Sequence, residues 1–243
     1  MHSSTHSSSI VSLAVCVLTA ASCGSSDAET LETEPVVEEV EPAPATAPAP
    51  APGPPVTDYR VLDARGDEHL KAGRFAEAVA DFDAAIELEP RLEPYHWRRG
   101  IAQYYAGLFE EGAQQFERHR TVNGNDVENT AWHFLCVARL RGVDAAREAM
   151  LPVQPDSRVP MMVVVEMFAG RKTPDDVLAA AGESRGAQSE SALFYGHLYV
   201  GLYHEALGDA ERARHHIEIA ATEHTSPYYM GDVARVHAAR FGE

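Results

Sequence analysis

Lysine and arginine are missing from the first 57 positions of this 243-residue chain, where Arg60 is the first basic residue. Cysteine is nearly as scarce, with only Cys16, Cys23 and Cys136. If an export signal removes Cys16 and Cys23 is modified, no intramolecular disulfide can form in any compartment. The apolar-to-small stretch Ile10–Ala21 has 12 residues, too few to cross a hydrocarbon layer of about 30 Å as a helix. No basic cluster exceeds a pair (Arg98-Arg99 and Arg171-Lys172). A nucleic-acid partner needs a basic face, so that class is excluded. There is no Gly-x-Ser-x-Gly elbow, no glycine-rich phosphate loop and no His-Glu-x-x-His spacing. The motifs that most often carry nucleophilic, phosphoryl or zinc chemistry are therefore absent.

What is present divides by composition. Ile10–Ala21 reads as the core of a secretory signal over residues 1–22. Residues 23–57 read as a linker. Asp27, Glu29, Glu32, Glu34, Glu38, Glu39 and Glu41 supply seven uncompensated negative charges, followed by alternating Pro and Ala from Pro42 to Pro55. The acidic half buries too little apolar surface to fold, and the Pro-Ala half favours an extended polyproline helix reaching about 3.1 Å per residue. Residues 58–243 keep 30 acids against 20 basic residues, a net charge of −10.

The third segment is periodic. Gly66 and Gly100, Gly73 and Gly107, Phe75 and Phe109, Glu77 and Glu111, and Phe82 and Phe116 all lie 34 residues apart. Gly201, Gly208, Ala210, Ala213, Ile217 and Ala220 repeat the first unit's marks 135 positions further on. A fixed period of this size marks stacked helical hairpins. Gly73 is placed to end one helix in a left-handed turn. Gly66 and Ala78 are small where two helices cross; Phe82 fills the seam, and Pro90 stops the second helix. Between the clear units, Trp132–Leu140 reads as a helix with a short partner near Asp144–Leu151, and Met161–Phe168 as another, closed by Gly170. Thr173-Pro174-Asp175-Asp176 reads as a helix start. The run Met162–Val165 also suits a buried strand, but a lone strand would leave its backbone groups unpaired, which predicts helix. Tyr229–Phe241 reads as a capping helix. The expected fold class is all-α, a solenoid of three clear and two degraded hairpin units.

These marks resemble the tetratricopeptide repeat, and the resemblance covers most of residues 59–225. It implies protein binding in a groove lined by the first helix of each unit. The groove residues it implies are Trp97, Arg98, Ile101, Tyr104 and Tyr105 in the second unit and Tyr195, Tyr199 and Leu202 in the last. Asp63 and Asp67 would form an acidic entry suited to a basic or amphipathic segment. The segment Leu18–Gly24 resembles the lipobox of bacterial lipoproteins, implying acylation of Cys23; plain secretion is the alternative. Together these features resemble the NlpI type of envelope adaptor. They imply an anchored scaffold with a protein or peptide partner, held at the cell envelope. Gly24, rather than aspartate, points to the outer membrane facing the periplasm; a soluble periplasmic or secreted protein remains the other reading.

No catalytic residue, metal ligand or cofactor is expected, and the oligomeric state is open. The alternative function, a metal-binding protein or enzyme, rests on His197, His204, His215, His216 and His224 in the last unit. Their spacing suits packing or solvation better than convergence on one ion. Cys136, among Phe134, Leu135 and Ala138, reads as a buried, inert thiol.

Overall fold

The computed structural model describes residues 56–242, and the signal, lipobox and most of the linker lie outside the described residues. Within them the chain is helical and contains no strand. The first hairpin pairs α1 (Tyr59–Lys71) with α2 (Phe75–Leu88). The 3-10 turn Pro90–Tyr95 leads to the second, α3 (Trp97–Tyr105) with α4 (Phe109–Arg120). The third joins α5 (Val127–Arg141) to a short α6 (Val143–Glu148), and the fourth joins α7 (Met161–Phe168) to α8 (Pro174–Glu183). The fifth joins α9 (Ser189–Ala206) to α10 (Ala210–Thr222), and α11 (Tyr229–Ala239) follows.

All five hairpins turn on a glycine with positive φ: Gly73 at 75°, Gly107 at 79°, Gly142 at 88°, Gly170 at 75° and Gly208 at 78°. A side chain at these φ values pushes Cβ against the backbone, so glycine ends the helix at least cost. The helix crossings are equally specific. A Cβ built on Gly66 would lie 2.7 Å from the Phe82 ring, one on Gly100 2.7 Å from Phe116, and one on Gly201 2.7 Å from Ile217. The first, second and fifth hairpins thus close by laying one large side chain on bare backbone, which is why these marks recur together in the sequence.

The stretch Met161–Phe168 is α-helix rather than strand, with Met161, Val164, Met167 and Phe168 fully buried. Its partner α8 starts as the sequence predicts. Thr173 Oγ1 accepts from the Asp176 backbone N–H at 3.2 Å, and the Asp176 carboxylate accepts from the Thr173 N–H at 2.8 Å. Two orphan donors are thereby satisfied reciprocally. Cys136 is fully buried, and burial pushes its thiol well above the ordinary range, so it stays protonated and unreactive.

The last helix does more than cap α10. It also packs back on α1. Its course depends on Gly231, where an added Cβ would stand 1.9 Å from the Ser226 carbonyl oxygen. Backbone must move to relieve that clash. Gly231→Ala is therefore expected to cost about 2–3 kcal/mol, read from chemical denaturation. An unchanged denaturation midpoint would show that Gly231 does not approach the Ser226 carbonyl.

Candidate functional site

Helices α1, α3 and α9, the first helices of the first, second and fifth hairpins, carry the side chains that the repeat pattern assigns to a groove. Asp63 and Asp67, one turn apart on α1, meet cations of the chain itself. Both Asp63 oxygens accept from Arg98 Nη2 at 2.8 Å, and His96 Nε2 lies 2.9 Å away. Asp67 pairs with Lys71 at 2.8 Å and with Arg98 at 3.5 Å. The acidic entry is thus largely matched from within, and Arg98 serves as its internal counter-ion.

Helix α11 lies against the same face. The Trp97 ring meets Tyr229 edge-on at 4.8 Å, and Lys71 pairs with Asp232 at 3.4 Å. Tyr105 is hydrogen-bonded to His237 Nδ1 at 3.1 Å and stacks on Phe75 at 4.8 Å. Tyr104 donates to Glu205 at 3.1 Å. Burial lifts both phenols well above their ordinary range. Of the sequence candidates, Ile101, Tyr104, Tyr105, Tyr195, Tyr199 and Leu202 are buried. Trp97 and Arg98 keep partial exposure.

At the N-terminal end of α11 the face stays open. A cavity of about 270 Å³ lies between α3, α5, α9, Tyr228 and the first residues of α11, Tyr229 and Met230. Trp97, Trp132, Tyr195 and Tyr228 give it aromatic walls, and Asp126, Glu128 and Asn129 form its polar side. Asp126 caps α5, accepting from the Asn129 N–H at 3.0 Å. That turn carries Glu128 and Asn129 to the cavity's polar side. Trp132, one turn further along α5, is 1 % exposed and Asn129 4 %. Yet the Trp132 indole N–H and the Asn129 side-chain carbonyl have no hydrogen-bond partner. Unmade bonds at such burial are costly.

The charges at this edge are unequal. Arg158 binds Glu128 through two hydrogen bonds, at 3.1 and 2.9 Å, and Asp156 at 2.6 Å. Burial raises the Glu128 carboxyl, and neighbouring Asp126 adds to the rise against the pull of Arg158. Burial would raise Asp126 too, but hydrogen bonds from the His119 ring and the Asn129 amide hold it below its ordinary value. Glu128 and Asp156 share one guanidinium, and Asp126 faces the His119 ring at 3.5 Å. Asp126, Glu128 and Tyr228 carry no repeat mark; only the cap-like Asp126 before an apolar helix hinted at this corner in the sequence.

The C-terminal histidines form contacts of their own. His197 Nδ1 lies 3.0 Å from His216 Nδ1, His204 stacks on His216 at 5.8 Å, and His224 Nδ1 lies 3.1 Å from Glu190. Burial, followed by the neighbouring histidines, lowers His197 and His216 to about 4. Among the described residues no group of three or more His, Cys, Asp or Glu side chains is arranged to hold a metal ion.

Comparison with known proteins agrees with this architecture. Residues 59–92 match the family model described as Tetratricopeptide repeat. A relative described as "Protein SGT1 homolog" from Bos taurus is 29% identical over 68 residues, which is 28% of this chain and 20% of that protein. The chain thus spans about a fifth of that relative's length. The family-model match covers the first hairpin and the opening of the 3-10 turn that follows it. The fold is accordingly all-α, a TPR-like solenoid of helical hairpins, opened by a unit that matches the tetratricopeptide repeat.

Proposed function

We propose that this protein is a non-catalytic adaptor that holds a protein partner on the face formed by α3, α5 and α9, and that an acylated Cys23 carries it at the cell envelope. One observation carries the first half: the inner face keeps an open cavity with aromatic walls and an acidic side between α3, α5, α9 and the start of α11. Tetratricopeptide repeats are protein-interaction units, and the unit at 59–92 supports that class of function. The lipobox-like Leu18–Gly24 and the acidic, Pro-rich linker support the second half.

The two halves are tested separately. A photo-crosslinking side chain placed at Tyr228, which is 72% exposed, should trap a discrete protein from envelope fractions. The same side chain at Leu88, exposed on α2, should not. Equal capture at both positions would remove the face from consideration. Feeding cells a labelled fatty acid should mark the wild-type chain and leave Cys23→Ser unmarked; an unlabelled wild-type chain would overturn the anchor.

A further inference from the structure

We infer that the cavity between α3, α5 and α9 takes the positively charged side chain of a lysine or arginine in the partner polypeptide. The inference rests on the reading of this face as partner-binding and adds the chemistry of what enters it.

The size comes first. At about 270 Å³ the cavity falls just below the range that holds drug-sized ligands, and it suits one long side chain. The walls come next. Trp97, Trp132, Tyr195 and Tyr228 surround the space, and aromatic faces attract a cation through their quadrupole. The chain already uses this attraction beside the cavity, where the Arg158 guanidinium lies 5.6 Å from the Tyr195 ring centre. That ring therefore has one cationic neighbour from within.

Charge then decides between a neutral and a cationic occupant. Among the described residues, Glu128 and Asp156 pair with Arg158, and Asp126 pairs with no lysine or arginine. His119, 3.5 Å from Asp126, brings a second positive charge only when protonated. With or without that charge the corner keeps at least one excess negative charge in a partly desolvated setting, and an entering ammonium or guanidinium offsets it. The polypeptide source follows from the repeat unit at 59–92, since tetratricopeptide repeats are protein-interaction units.

The chain has two tryptophans, and both line the cavity, so their indole N–H resonances report on this site. The probes are four heptapeptide pools, randomised except for a central lysine, arginine, norleucine or glutamate, titrated into the full chain labelled with ¹⁵N, with n-butylammonium as a fifth. The lysine and arginine pools should shift the indole signals saturably, and the norleucine pool should bind about tenfold more weakly or less. Tyr228→Ala, at an exposed position, and Glu128→Gln should each weaken the lysine pool about three- to tenfold. Norleucine binding as tightly as lysine would overturn the cation claim while leaving the face as a polypeptide site. Butylammonium matching the lysine pool would overturn the polypeptide source. Indole signals unmoved by every probe would overturn the cavity as a site, and the crosslinking result at Tyr228 would then stand or fall alone.

Discussion

Phe82→Ala is expected to lower the stability of the repeat domain by about 4 kcal/mol. Phe82 is fully buried between α1 and the turn before α3. Its ring lies on the bare backbone of Gly66, meets His96 at 4.6 Å and underlies the Arg98 guanidinium at 5.7 Å. Truncation empties the first crossing, and α1 has little other means of collapsing on α2. Urea denaturation followed by circular dichroism measures the loss. A double-mutant cycle makes the test specific. Gly66→Ala alone should cost about 1–3 kcal/mol, because its Cβ enters the ring. In the Phe82→Ala background the same change should cost well under half as much. Additive losses would mean that the two positions do not touch.

The second large effect is acid instability. His96 and His237 are buried, and burial lowers both to about 4, outweighing Asp63 beside the first and Glu205 beside the second. His197 and His216 are lowered to about 4 as well. An unfolded histidine titrates near 6.5. The unfolded chain therefore takes up these protons first, and stability must rise with pH across the window. The stabilisation is fully present above about pH 6.5 and is lost as the pH falls toward 4. For His237 alone the loss is about 3 kcal/mol. His119 works the other way. Burial opposes its charging, but Asp126 and the Pro94 carbonyl more than offset it and leave its value raised. Its contribution is present below 6.5 and fades as the pH rises through the raised value. The four lowered groups outnumber it, so the urea midpoint should drop steeply between pH 6.5 and 4.5. A flat profile would contradict the burial of these rings, and His237→Asn should remove part of the slope.

The sequence made the local features of the fold legible because their causes are local. Gly73, Gly107, Gly170 and Gly208 could be read as hairpin turns from what a left-handed residue requires, and Thr173 as a cap from its hydroxyl and Asp176. The Met162–Val165 ambiguity was resolved by pairing rather than by propensity, since a strand there had nothing to bond. Gly142 escaped notice because the intervals around it drift from the strict period. The return of α11 onto α1 was not legible at all. It joins Lys71 to Asp232 and Trp97 to Tyr229 across more than a hundred residues, and no period encodes such a contact. The candidate site suffered from the same blindness. Trp97, Tyr104 and Tyr105 look alike as an aromatic stripe, but the structure sets Tyr104 and Tyr105 in the core and Trp97 at a cavity rim. Asp126 and Glu128 were not singled out in the sequence, because no repeat mark falls on them.

The return of α11 changes what kind of object the array is. A linear stack has two free ends and can fray one unit at a time from either of them, because each unit leans only on its neighbours. In this chain Tyr229, Asp232 and His237 stitch the final helix to the opening pair of hairpins. Neither end can loosen without undressing the other. Melting of the described residues is thereby pushed toward a single step, and a unit can be spliced in only where it does not part these two ends.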